Sequence, residues 1–185
     1  QQVSEAIERE HMAQAIALQT EILGSPPLGW YTGRDSPNTR RLLLEHGGFV
    51  YDADSYADDL PYWTCVQISE QGQVRERAHL IVPYALDTND MRFVSGQGFS
   101  SGTQFFDYLR AAFDTLYAEG DPEGLNSPKM LSVGLHCRLA GRPARIGALE
   151  QFLDYVLAHP QVWITRRIDI ARHWMSVHPY KAPPA

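Results

Sequence analysis

Ile7, His11, Ala15, Leu18 and Ile22 recur at helical spacing and predict an amphipathic first helix. Ser4 can cap it, Glu5 and Glu8 sit near its positive end, and Gly24 with Pro26-Pro27 stops it. A short extended piece follows from Leu28 to Tyr31. Ser36-Pro37 then offers a cap and a proline at the first position of a second helix that runs to Gly47. Phe49 to Tyr51 is the next predicted strand, and the loop after it carries Asp52, Asp54, Asp58 and Asp59 before Tyr62-Trp63 closes it. The apolar pieces Thr64 to Ile68 and Ala78 to Val82 flank a Glu70-Gln71-Gly72-Gln73 turn, which predicts a hairpin or insertion. Farther on, Phe106, Leu109, Phe113 and Leu116 share one face of a helix that ends at Gly120, with Ser100-Ser101-Gly102 as a turn and cap. Lys129 to Leu135 reads as a buried strand. Pro143 opens a helix with the stripe Ile146, Leu149, Phe152, Val156 and Leu157, and Gln161 to Thr165 is a further strand before a helix from Ile168 to Val177.

Strands that alternate with amphipathic helices imply an α/β fold with a parallel sheet covered by helices. About four strand-helix units can be counted, whereas a closed (β/α) barrel needs about seven or eight and on the order of 250 residues. Residues 1–185 are therefore expected to be one catalytic-domain fragment with the first strands missing. An exposed hydrophobic edge follows, and with it dependence on the missing N-terminal segment. At 44% hydrophobic residues the chain can bury a substantial core. Sixteen basic against 22 acidic side chains, net charge -6 and no Lys/Arg run make nucleic acid a poor partner. No apolar stretch reaches the roughly 18 residues of a membrane span, and no leader is visible, although the chain starts at Gln1 and leaves an upstream leader open. Cys65 and Cys137 read as two free thiols of a reducing compartment, so the cytoplasm is the expected location.

Three strand ends carry candidate chemistry, at the place where barrels of this type put their reacting groups. The first, Gly29-Trp30-Tyr31-Thr32-Gly33-Arg34, joins flexible glycines, two aromatics and a fixed cation; it suits a planar, carbonyl-rich ligand and equally an aromatic plug beside an exposed Arg. The second is the acidic loop from Tyr51 to Trp63, where one or two carboxylates can support proton transfer and the rest are solvated capping residues. The third runs from Ser132 to Pro143 and delivers His136 to a strand end, either for proton transfer near neutral pH or as an imidazole satisfied by a backbone carbonyl. The seven histidines form no HxxxH and no HExxH, and there is no GxxxxGK[ST] or GxSxG.

Taken in order, these segments resemble the allantoinase branch of the polysaccharide deacetylase superfamily. The resemblance is carried by Pro27 to Arg34, Ser36 to Arg40, Tyr51 to Asp59, Asn89 to Phe93, Ser132 to Pro143 with Arg145, and Val162-Trp163 through Arg166-Arg167-Ile168-Asp169-Ile170-Ala171 to His173-Trp174. It implies the C-terminal portion of a distorted (β/α) barrel of the polysaccharide deacetylase type. It also implies a homo-oligomer and work without metal or other cofactor, a metal being possible only through ligands in the missing N-terminal part. His136 falls on the superfamily's last motif, the strand-end Leu-x-His, as general acid. Tyr31 and Arg34 fall on the third motif, and Asp52, Asp54 and Trp63 on the fourth.

The implied reaction is the hydrolysis of a cyclic amide, allantoin to allantoate. His136 is expected to protonate the departing ring nitrogen, oriented by an Asp of the second loop, Asp54. Arg34 and backbone amides would meet the oxyanion, and Trp30, Tyr31 and Trp63 would wall the ring. The water-positioning group is expected in the missing strands. The ligand would be a small ureide or cyclic imide. A metal-dependent deacetylase or cyclic-imide hydrolase is the nearest rival, and a non-catalytic ureide-binding or interaction module is the rival from another class.

Overall fold

In the computed structural model, which describes residues 3–70 and 72–182, helix α1 (Glu5–Leu23) starts where Ser4 accepts a hydrogen bond from Ile7 N and stops at the left-handed Gly24. Its buried face is Glu8, Met12 and Ile16, not the expected stripe: Ile7, Leu18 and Ile22 are exposed, Ile22 at 78%. The reason lies in Glu8, whose carboxylate accepts from Ser36 Oγ at 2.6 Å and from Thr39 Oγ1. A buried carboxylate needs such partners, and meeting them turns Met12 and Ile16 inward. These two pack with Leu42 and Leu43 of α2 (Thr39–His46), and Trp30 and Phe49 lie against the cluster. Ser36 and Pro37 stay outside α2, whose cap position is Asn38.

Four strands form one mixed sheet in the order β1-β2-β4-β3. β1 (Gly29–Trp30) lies parallel to β2 (Tyr51–Asp52), and β2 lies parallel to β4 (Gln73–Ile81) through Tyr51↔Leu80 and Asp52↔Ile81. β3 (Tyr62–Glu70) runs antiparallel to β4 from Tyr62↔Ile81 to Glu70↔Gln73, which is the expected hairpin; Gln71 of its turn lies outside the described residues. The hairpin ladder already starts at Tyr62, so Tyr62 and Trp63 are strand residues. Gly29 pairs with Tyr51, and a Cβ there would collide with the Tyr51 ring, so any larger residue would have to displace that ring.

The described residues divide into two compact units, one holding the elements above together with the chain from Thr165 onward, the other Tyr84 to Ile164. In the second, Ser101 caps α3 (Gly102–Glu119) by accepting from Gln104 N, and Pro143 opens α4 (Pro143–Leu157). Phe105, Leu109 and Phe113 of α3 meet Ala148, Phe152 and Val156 of α4 in one core with Phe99. Lys129 to Leu135 is not a strand: its pairing reduces to one bridge, Gly134 with Asn89. Gln161 to Thr165 forms no strand either, and Gln161 has φ 63°, a left-handed turn. An apolar run becomes a strand only beside a neighbour that shares its ladder, and among the described residues the first run has no more than that bridge and the second has none. α5 (Arg167–Val177) then returns to the first unit, where Arg167 donates to the carbonyls of Val82 and Pro83 at 2.7 and 2.8 Å, just beyond β4. No described helix is long and apolar enough to cross a membrane.

Candidate active site

His136 follows Gly134, the residue bridged to Asn89, and the bridge fixes where the imidazole emerges. A Cβ at Gly134 would run into the Asn89 amide and the Tyr84 hydroxyl, themselves joined at 3.1 Å, so glycine is required for this close approach. His136 Nδ1 lies 2.6 Å from Asp90 Oδ1, while Asp90 Oδ2 accepts from the backbone amides of His136 (2.7 Å) and Ala140 (3.0 Å). Asp90 is fully buried, whereas the His136 side chain is 30% exposed. A carboxylate accepts only, so it places the imidazole proton on Nδ1 and leaves Nε2 as the nitrogen that can exchange a proton with a ligand. This is an imidazole oriented by a carboxylate that three donors lock in place.

Asp90 was not among the expected site residues, and it replaces Asp54 as the orienter of His136. Asp54 is otherwise engaged: its carboxylate accepts from Thr32 N at 3.0 and 2.9 Å and from Gly33 N at 2.7 Å. It thereby clamps the turn after β1 to the loop after β2. Burial pushes the Asp54 carboxyl up from its ordinary range, against the pull of those two amides, and the nearby charges of Asp52 and Asp35 add to the rise.

Asp52, at the end of β2, is the centre of a second buried group. Arg40 Nε and Nη2 reach its two oxygens at 2.7 and 3.2 Å, and Asp54 N donates to Oδ1 at 3.0 Å. The buried His79 Nε2 stands 3.1 Å from Oδ2 but lacks the alignment of a hydrogen bond, so Arg40 fixes the carboxylate and His79 acts by proximity. Burial opposes the charge on Asp52, yet His79 and Arg40 outweigh it and hold the carboxyl below the usual range. Arg40 and His79 carried no sign in the sequence; their partner did, as an acidic residue at a strand end.

The remaining expected residues divide. Trp30, expected to wall a ligand, packs instead into the α1–α2 core, with its ring edge-on to Phe49 at 5.6 Å. Trp63 donates its indole N–H to His178 O at 2.8 Å and meets Tyr180 edge-on at 5.7 Å, so it anchors the segment after α5. Tyr31 is 45% exposed, with its hydroxyl 3.2 Å from that of Tyr56. Arg34 is exposed, and its guanidinium makes no hydrogen bond or ion pair among the described residues. Both lie just beyond the carboxyl end of β1.

Among the described residues, no three His, Cys, Asp or Glu side chains are placed to hold a metal ion.

No profile of a known family matches the chain. It is 41% identical over 183 residues to a Schizosaccharomyces pombe protein provisionally named polysaccharide deacetylase, a match over 95% of this chain and 56% of that protein. Among solved structures, a Puue allantoinase is 58% identical with TM-score 0.87, over 98% of this chain and 57% of its own. A protein of Pseudomonas aeruginosa PAO1, described as a probable polysaccharide deacetylase, is 57% identical with TM-score 0.87 over the same shares. The chain thus spans a little over half the length of these relatives.

Proposed function

Because the chain belongs to the polysaccharide deacetylase family, we propose that the whole protein is a hydrolase that opens a cyclic amide, allantoin to allantoate. The observation that carries this reading is the Asp90 carboxylate bound to Nδ1 of a partly exposed His136. Opening a ring amide adds water oxygen to the carbonyl carbon, breaks the C–N bond and requires a proton on the departing nitrogen. Nε2 of His136 supplies that proton from the cationic imidazole, which Asp90 stabilises, and the imidazole left neutral recovers a proton from the attacking water. The water-activating group is assigned to parts of the whole protein outside these 185 residues. Catalysis without a metal, a homo-oligomeric state and a cytoplasmic setting within ureide breakdown complete the proposal.

The likeness to Puue allantoinase favours a ureide as substrate, while the names of the other two relatives favour an N-acetylated sugar. Incubating the intact protein with each compound, with and without a strong chelator, separates the two. The expected outcome is allantoate formation that the chelator leaves unchanged. Release of acetate from the sugar alone, abolished by the chelator, would establish the metal-dependent deacetylase instead.

A further inference from the structure

Resting on the hydrolase reading above, we propose that Asn89 is a positioning residue, whose side chain fixes the turn from which Asp90 reaches the His136 imidazole. Asp90 is the first residue of the short 3-10 helix Asp90–Val94, and Asn89 stands at its cap with extended backbone, φ -107° and ψ 134°. Asn89 Oδ1 accepts from Met91 N at 2.8 Å, and the Asn89 carbonyl accepts from Arg92 N at 3.1 Å. Asp90 lies inside that closed turn, so the side-chain bond to Met91 helps set the direction in which the Asp90 carboxylate leaves the backbone.

The rest of Asn89 holds the turn against the segment that carries His136. Its backbone bridges Gly134 in parallel, with Asp90 N donating to Gly134 O at 2.9 Å and Gly134 N to Thr88 O at 3.2 Å. Its Nδ2 donates to the Tyr84 hydroxyl at 3.1 Å. Met91 N can only donate, so the amide oxygen faces it and the NH2 group faces Tyr84. Asn89 is 5% exposed and Asp90 0%, and at that depth bulk water does not replace a lost bond.

The Asp90–His136 contact is sensitive to such a turn. Asp90 Oδ1 lies 2.6 Å from His136 Nδ1 while Oδ2 accepts from His136 N at 2.7 Å. A carboxylate that binds the ring nitrogen and the backbone amide of one residue has a narrow range of orientations that serve both. Outside that range the imidazole is free to turn, and Nε2 leaves the line of proton transfer. A displacement of about 1 Å can cost on the order of a hundredfold in rate.

The test uses the intact protein with Asn89→Ala, which deletes the cap oxygen, and Asn89→Ser, whose hydroxyl can accept from Met91 N in its place. Both lose the bond to Tyr84, so the difference between them reads the cap alone. Turnover on allantoin is measured beside a thermal melt and the proton NMR signal of His136 Nδ1–H, identified by its absence in His136→Ala. For Asn89→Ala the expected result is a kcat about tenfold lower, a KM within about twofold of the parent's and a displaced Nδ1–H signal. Asn89→Ser should return kcat to within about threefold of the parent and the signal to its place. Should the alanine variant not fold, Asn89→Gly removes the same oxygen at a smaller cost to a cap. A parental kcat in the variant without the oxygen overturns the proposal, as does an equal loss in the serine variant, or a fallen kcat with the signal unmoved. If the parent opens no ring, the hydrolase reading fails, and the NMR signal alone then decides whether Asn89 positions the imidazole.

Discussion

Three buried carboxylates, Asp52, Asp54 and Asp90, have three different tasks because their partners differ. Asp90 meets an imidazole and two amides, Asp54 two amides of one turn, and Asp52 a guanidinium. Asp52 and Asp54 consequently respond to pH in opposite directions. The Asp52 carboxyl is held below its ordinary 3.8, so the stability it contributes is complete above that value and is lost as pH falls through the lower folded-state value. Asp54 is raised above 3.8, so its contribution is largest below that value and declines as pH rises through the folded-state value. Replacing Asp52 by Asn should cost roughly 2 kcal/mol at neutral pH, less than for a fully buried pair because the Arg40 side chain is 31% exposed. Urea unfolding across an acid series checks this: the variant should lose less stability than the parent between neutral and acid pH, and parallel curves would exclude the ion pair as the source. His136 was legible in the sequence because an apolar run ends in an imidazole. Asp90 was not, since it lies 46 residues away and only the fold brings it to Nδ1. Trp30 illustrates the converse, an aromatic beside a candidate site whose ring is needed by the core.

At the level of elements, helix ends were the most legible features. Ser4, Gly24, Ser101 and Pro143 stand where their hydroxyl, backbone freedom or missing N–H serves a terminus. Which face of α1 is buried was not legible, because Glu8 looks like a surface residue until the hydroxyls of Ser36 and Thr39 appear opposite it. Truncation tests that assignment. Met12→Ala should destabilise by about 2 kcal/mol or more, whereas Ile22→Ala should stay within about 0.5 kcal/mol. Chemical denaturation of the two variants decides it, and a larger loss for Ile22 would restore the face the periodicity suggested. The runs 129–135 and 161–165 show the other limit: their residues fit a strand, but strand formation depends on a neighbour that local sequence does not reveal.

For the whole molecule, alternation of strands and helices was enough to indicate the α/β class, and the order of six segments was enough to indicate the family. The mixed sheet, with β3 and β4 as an antiparallel hairpin beside short parallel strands, follows from pairing between distant residues that alternation does not specify. Sequence identity of 57% to 58% does not by itself say which bond the protein cleaves, and the chain covers 57% of the Puue allantoinase. The central claim is that one imidazole, held by a buried carboxylate, passes a proton to a ring nitrogen. Its most direct test is the kcat of the intact protein on allantoin after His136→Ala. Its loss leaves the buried Asp90 carboxylate one donor short, so the thermal melt should fall by several degrees while staying cooperative. The predicted kcat is lower by about a hundredfold or more. A kcat equal to the parent's, in a variant shown by the melt to be folded, would contradict the account.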